Sequence, residues 1–253
     1  MVGGQWGDNP PKGGGKLYRL NEEGTSATFI YAIKIDRNTS NGTVTMQGRR
    51  TEMAFTADNQ LIVLCIAPEL YEGYWRVVPR LYKGSIENWI QGTQKELPKP
   101  NDNDTGIEVY DFARGQGYYS VSLAAHPSNK DRAYVGGINL FSSNQAGEDW
   151  GQLTHQRGRY AQYIHADQHS VVFSDSNDQF MLIGNDGGVG YSSDGGNLEP
   201  RNNKFHTAQY YSLAVAPVGM FDSYATKVHG YDPLKGSWDP NANSGDGGNA
   251  FNM

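Results

Sequence analysis

The sequence predicts an all-β fold, and three observations carry that prediction. Hydrophobic residues make up 37% of the chain while 32 of its 253 residues are glycine. That balance suits many short strands joined by turns better than long helices. The stretch 165–196, HADQHSVVFSDSNDQFMLIGNDGGVGYSSDGG, reads as strands over 169–174, 179–185 and 189–193. They are separated by the polar turn 174–178 and by Asp186-Gly187-Gly188, and followed by Asp194-Gly195-Gly196. Short β-rich runs between Asp/Asn/Gly turns make an antiparallel meander. The same unit recurs along the chain.

The recurrence sets the architecture. VSLAAHPSNKDRAYVGG (121–137) aligns with HSVVFSDSNDQFMLIGN (169–185) at a shift of 48 residues. Ser128 then meets Ser176, Asn129 meets Asn177 and Gly136 meets Gly184. Weaker copies lie on either side. MAFTADNQLIVLC (53–65) has the same strand–turn–strand form, with Phe55 at the place of Phe173. LYRLNEEGTSATF (17–29) and LYKGSIENW (81–89) read as third and fourth strands of earlier units, and YYSLAVAP (210–217) would open a later one. A repeat of about fifty residues with four strands is the pattern of propeller blades. The expectation is therefore a β-propeller of four-stranded antiparallel blades, incomplete, with about four to five blades present. It forms a single domain over 1–253 whose best-defined blades span 107–160 and 161–207, because blades bury their faces only by stacking. The Pro-rich segment LPKPNDNDTG (97–106) reads as a long inter-strand loop.

Composition narrows the function classes. Net charge is −6 with no basic run, which argues against a nucleic-acid partner. No apolar run approaches the roughly 20 residues a membrane helix needs. Cys65 is the sole cysteine and lies inside LIVLCIAP, a buried strand position rather than part of a disulfide framework. The N-terminus has no apolar signal-peptide core, and the C-terminus stops just after a turn signal, SGDGG, as a fragment of a longer chain would. P-loop, nucleophile-elbow, CxxC and HExxH motifs are absent. No cofactor or metal follows from the sequence, and neither does the oligomeric state.

Two turns fit a Ser-x-Asp-x-Gly-x-x-Trp pattern. In one, Ser192, Asp194 and Gly196 match, with Glu199 in place of the Trp; in the other, Ser143, Gly147 and Trp150 match, with Gln145 in place of the Asp. The carboxylate caps turn N–H groups, Gly permits positive φ and the indole packs between units. Together with YYSVSLAAHPSNKDRAYVGGINLFSS, His165-Ala-Asp-Gln-His169 and Gly184-Asn-Asp-Gly-Gly188, these turns make the chain resemble the sialidase-like BNR/Asp-box repeat β-propellers of secreted bacterial proteins, often labelled glycosyl hydrolase or sortilin-like. The likeness covers about 110–217 well and 16–100 weakly. It implies that the Asp-box residues are structural and peripheral, that binding lies on the opposite loop face, and that the protein is secreted or surface-associated. The tail VHGYDPLKGSWDP departs from the family pattern, and Tyr74–Pro79 only loosely echoes the sialidase Arg-Ile-Pro motif, so sialidase activity is not assigned.

The residues that could carry chemistry lie on the loops. His165, Asp167 and His169 are spaced i, i+2, i+4, which on an extended chain puts them on one face. Two imidazoles and a carboxylate there suit substrate or metal binding, or hydrogen bonding within the loops. In a four-stranded blade the loop entering the first strand and the loop between the second and third emerge on one side, so Asp186 and Asn185 should share the rim with His165 and Asp167. Arg114, Tyr118 and Asn139 belong to the same rim of the preceding unit, and Arg159 to the loop leading into His165. Two function classes follow. One is a non-catalytic module binding glycan or protein through this face. The other is a glycoside hydrolase or lyase with Asp167 and Asp186 as its carboxylate pair and His165 and His169 positioning them.

Overall fold

The computed structural model describes residues 15–39, 42–71, 74–108, 111–202, 231–232 and 237–238. The chain divides into two compact units, Met1–Thr207 and Ala208–Met253. In the second unit the described residues form one short antiparallel pair, β19 (Tyr231–Asp232) and β20 (Ser237–Trp238). The expected further unit at 210–217 lies outside the described residues.

The first unit begins with two hairpins, β1 (Lys16–Leu20) with β2 (Ala27–Ala32) and β3 (Lys34–Thr39) with β4 (Gly42–Gln47). The segment 17–29 is thus a two-stranded hairpin of its own rather than the outer half of a four-stranded unit. Its turn is closed by Asn21, whose Oδ1 accepts from the N–H groups of Thr25 and Ser26.

Three four-stranded antiparallel sheets follow, each with its strands in chain order. The first contains β5 (Thr51–Phe55), β6 (Leu61–Tyr71), β7 (Tyr74–Gly84) and β8 (Lys95–Leu97). The second contains β9 (Ser122–Ala125), β10 (Ala133–Gly136), β11 (Leu140–Ser143) and β12 (Gly151–Gln152). The third contains β15 (Gln168–Phe173), β16 (Met181–Asn185), β17 (Gly188–Ser192) and β18 (Glu199–Pro200). A parallel bridge, β13 (Thr154–His155) with β14 (Gln162–Tyr163), links the second sheet to the third. The 48-residue spacing holds across these two sheets: β10 and β16 begin at Ala133 and Met181, and β12 and β18 begin at Gly151 and Glu199. Among the described residues the sheets do not close into a ring or barrel.

One expected strand is a helix. Ser85 caps α1 (Ile86–Gln91): its hydroxyl accepts from the Asn88 N–H, and Asn88 returns the bond to the Ser85 N–H. Gly92 ends the helix in the left-handed conformation. A Ser cap with a side-chain acceptor three residues on is a helix start, and in LYKGSIENW it outweighs the strand pattern. The fourth strand of that sheet comes later, as β8.

Alternation explains the stacking. In β6, Ile62, Leu64 and Ile66 point to one side and pack with Ala133 and Val135 of β10, Phe141 of β11 and Phe112. Leu61, Val63 and Cys65 point to the other and pack with Leu17, Ile33, Tyr82 and Trp89. In β10 the residue between Ala133 and Val135, Tyr134, faces the third sheet, joining Leu140, Ile164, Met181 and Ile183. Sheets buried on both faces read as continuous apolar runs, which is why LIVLCIAP looks as it does. The first strands are neighbours, with β9 beside both β5 and β15. Burial pushes the Cys65 thiol up to about 11. Among the described residues no helix is long and apolar enough to cross a membrane.

Candidate functional site

In these meanders the turns alternate between two rims. One rim carries the loops entering β9 and β15 and the β16–β17 turn; the other carries the β15–β16 turn and the turns after β11 and β17.

On the first rim the structure joins three side chains. Asp186, in the β16–β17 turn, receives a 2.6 Å hydrogen bond from Nε2 of His169 at Oδ1. The Tyr119 hydroxyl donates to the same carboxylate, at 2.8 Å to Oδ1 and 3.1 Å to Oδ2. The Tyr119 ring stands edge-on to the imidazole of His169, 4.9 Å between centroids. The backbone positions each group. A register shift between Gln168 and Ser170 bulges β15 at His169. Arg50 holds the 118–121 loop, donating to the carbonyls of Tyr119 and Val121. Gly187 lies so close to His165 that a Cβ there would fall 2.4 Å from the ring. Burial raises the Asp186 pKa, but hydrogen bonds from His169 and Tyr119 and the charges of His169 and His165 outweigh it and hold the carboxyl below its ordinary value.

The structure changes the account of the His165–His169 stretch. Its i, i+2, i+4 spacing would align side chains only in a continuous strand, and β15 starts at Gln168. Asp167 has φ of +66°. Its N–H donates to the Ile138 carbonyl. Alternation therefore stops before Asp167, and it is His169 that meets Asp186. Asp167 and Asp186 are the next residues outward from the last β15–β16 pair, Gln168 with Asn185. Oδ1 of Asp167 is buried and without a hydrogen-bond partner among the described residues. Asn185 accepts the Gly187 N–H within its turn.

Arg114 and Asn139 belong to a second cluster. The Arg114 guanidinium bonds Asp102 at 2.7 Å and Asp104 at 2.8 Å. Asn139, fully buried, donates to Asp102 and accepts from the Gln156 N–H. His155 accepts at Nδ1 from the N–H groups of Arg157 and Arg159, so its proton sits on Nε2, 2.9 Å from Asp104. The hydrogen bond with His155 is the largest influence on Asp104; with Arg114 it outweighs burial and lowers the pKa. This set ties loop 97–106 to the second sheet and leaves Arg114 and Asn139 few free donors. The Arg159 backbone takes part while its side chain is exposed. Tyr118 is exposed at 62%.

Tyr119, Asp102, Asp104 and His155 were not singled out by sequence patterns. Tyr119 sits beside Tyr118 in a YY pair, the only local signal. Asp102 and Asp104 lie in the polar, Pro-rich segment 97–106, and His155 ends the two-residue strand β13.

The two Ser-Asp-Gly turns lie at the opposite rim. Asp194 accepts from the N–H groups of Gly196 and Asn197, at 2.9 and 2.7 Å. Those backbone bonds lower its pKa strongly. The Gly195 carbonyl accepts from Tyr134 and Arg132 of the preceding sheet. In the other turn Asp149 supplies the carboxylate that Gln145 lacks: the Ser143 hydroxyl donates to it at 2.8 Å and accepts from the Gly147 N–H. Trp150 Nε1 donates to the Pro98 carbonyl beyond the end of the first sheet.

Among the described residues no group of His, Cys, Asp and Glu is arranged to hold a metal ion. The sequence matches no protein-family model and no curated protein. Among solved structures the chain is weakly similar to a GH74 enzyme from Niastella koreensis, with a TM-score of 0.32 and 9% identity over 69% of this chain and 32% of that one. The chain thus spans about a third of that protein's length.

Proposed function

We propose that the chain contributes blades to a β-propeller of a secreted or surface-associated protein, and that it binds glycan through the rim holding Tyr119, His169 and Asp186. The propeller reading is supported by three stacked meanders in chain order with adjacent first strands. It is also supported by the open face of the third sheet, where Val172 and Leu182 are 53% and 45% exposed, as a sheet lacking its next neighbour would leave them.

The Tyr119–Asp186–His169 cluster carries the binding reading. Asp186 is a part-exposed carboxylate held ionised by two donors, with an aromatic ring beside it and the exposed Tyr118 next in the chain. Fixed acceptors beside aromatic faces suit sugar hydroxyls and ring faces. A carboxyl held below its ordinary pKa is a poor proton donor near neutral pH, which favours binding over acid catalysis by Asp186. A glycan array probed with the whole chain tests this reading: binding that Asp186→Asn weakens supports it, and absence of glycan binding overturns it.

A second reading, a glycoside hydrolase, is favoured by Asp167 and Asp186 standing at the ends of one strand pair. In it Asp167 and Asp186 are the carboxylate pair, with His165 and His169 positioning them. A hydrolysis screen on the parent and Asp167→Asn separates the two.

A further inference from the structure

We propose that Arg50 is a positioning residue for the rim: from the first sheet it sets the 118–121 loop so that the Tyr119 hydroxyl reaches Asp186 in the third. Its importance for a ligand rests on the glycan-binding reading above; the positioning itself does not.

Three sheets contribute to this arrangement. Arg50 directly precedes β5 of the first sheet, Tyr119 lies in the loop entering β9 of the second, and Asp186 lies in the β16–β17 turn of the third. The loop is pinned to the first sheet at two points. A Cβ on Gly117 would fall 2.7 Å from Cδ1 of Ile66, and Val121 is buried in the cluster that holds Ile66. Between these points hydrogen bonds orient the peptide units. The N–H groups of Tyr119 and Ser120 donate to the Gln116 carbonyl. The carbonyls of Tyr119 and Val121 accept from Arg50, and that of Tyr118 does so more weakly, at 3.4 Å.

A guanidinium suits this task. Its Nε donates to Glu52 at 3.0 Å, which fixes the plane of the group. Nη1 then faces the Tyr119 carbonyl, and Nη2 meets the Val121 carbonyl at 2.7 Å. An ammonium on a flexible stem does not reproduce that planar fork. Among the described residues Arg50 bonds Glu52 and these carbonyls and not Asp186, so its influence on the carboxylate passes through Tyr119. The Tyr119 hydroxyl lies 2.8 and 3.1 Å from the two carboxylate oxygens. An O–H···O bond holds only to about 3 Å, so a small rotation of the Tyr119 peptide unit removes it.

The ionisation of Asp186 reports where Tyr119 stands. Burial raises its pKa, and hydrogen bonds from His169 and Tyr119 outweigh that effect. The test is a double-mutant cycle, read by carboxyl-carbon NMR titration of Asp186 in the parent, Arg50→Lys, Tyr119→Phe and the double variant. Arg50→Lys keeps the positive charge and removes the fork. Both single variants should shift the Asp186 titration upward, and the double variant should shift it no further than Tyr119→Phe alone. An unmoved titration in Arg50→Lys, or shifts that add, overturns the proposal. A second measurement needs no variant. The Nη protons of Arg50 in the parent should give separate NMR signals, because carbonyls bound to both nitrogens hinder rotation of the group; one averaged signal overturns the proposal. Neither measurement uses a glycan. Where the array shows binding, Arg50→Lys should weaken it about tenfold, the worth of one hydrogen bond to a charged group. Unchanged affinity overturns the part of Arg50 in binding. An array without binding overturns the glycan reading, and the cycle still decides the positioning role.

Discussion

His169 and Asp186 meet through a 2.6 Å hydrogen bond between Nε2 and Oδ1, closed from the other side by the Tyr119 hydroxyl. An ionised carboxylate has no proton to give, so His169 donates through Nε2 and its Nδ1 is left for other partners. The pairing depends on the bulge in β15, since a regular strand would alternate His169 with its neighbours rather than set it apart from them.

Asp186 gives the protein an acid-sensitive contribution to stability. Its folded pKa lies below the unfolded value, so its contribution is fully present above about pH 4 and is lost as pH falls from there toward the folded value. Thermal melts between pH 6 and pH 2.5 should show a smaller acid-induced drop in Tm for Asp186→Asn than for the parent. Equal drops would mean that the carboxylate is not held by His169 and Tyr119 in solution.

Gly187→Ala should disturb the rim without touching the core. The new methyl would sit 2.4–2.5 Å from three atoms of His165, so the ring or the turn has to move. We expect weaker glycan binding and a changed His165 side-chain NMR signal. Unaltered signals and affinity would place the turn elsewhere.

The buried Asp102 makes Arg114 a costly charge to remove. The Asp102 side chain is wholly buried beside an Arg114 that is 17% exposed. Arg114→Ala should lower stability by about 3–5 kcal/mol, because a buried carboxylate is left unpaired. Arg114→Lys should recover only part of this, since one ammonium does not reproduce a guanidinium fork shared by two carboxylates. Urea titrations of the two variants check both statements.

Asp194→Ala should lower stability by about 0.5–2 kcal/mol, the range for lost side-chain caps of backbone N–H groups. It should leave glycan affinity unchanged, because the turn lies at the rim opposite Asp186. Reduced affinity with an unchanged melting temperature would contradict the capping role.

Cys65 should stay unmodified by a thiol reagent at pH 8 in the folded protein and react fully in denaturant. Its thiol is buried and pushed up to about 11, so little thiolate forms and little reagent reaches it. Rapid labelling of the native chain would show that the cluster around Leu61 and Val63 opens readily.

Much of the fold was legible in the residues themselves. The Asp/Asn/Gly turns and the period-2 runs mark the strands of the second and third sheets, and the 48-residue recurrence marks their spacing, because turn chemistry and strand alternation are local. Cys65 in LIVLCIAP was legible for the same reason: a strand covered on both faces has no polar positions. The expectation that the loop before β15 and the β16–β17 turn share one rim followed from reading these strands as an antiparallel meander, which is the order the third sheet has. Tertiary structure alone decided the rest. The positive φ of Asp167 with the bulge at His169 brought His169, and not the expected i, i+2, i+4 face, to Asp186; the Ser85 cap that starts α1, by contrast, was a local signal that the strand reading passed over. Tyr119 lies 67 residues from Asp186, and Asp104 lies 51 from His155. No periodicity links positions so far apart; only the stacking of one sheet on the next brings their side chains within hydrogen-bonding reach.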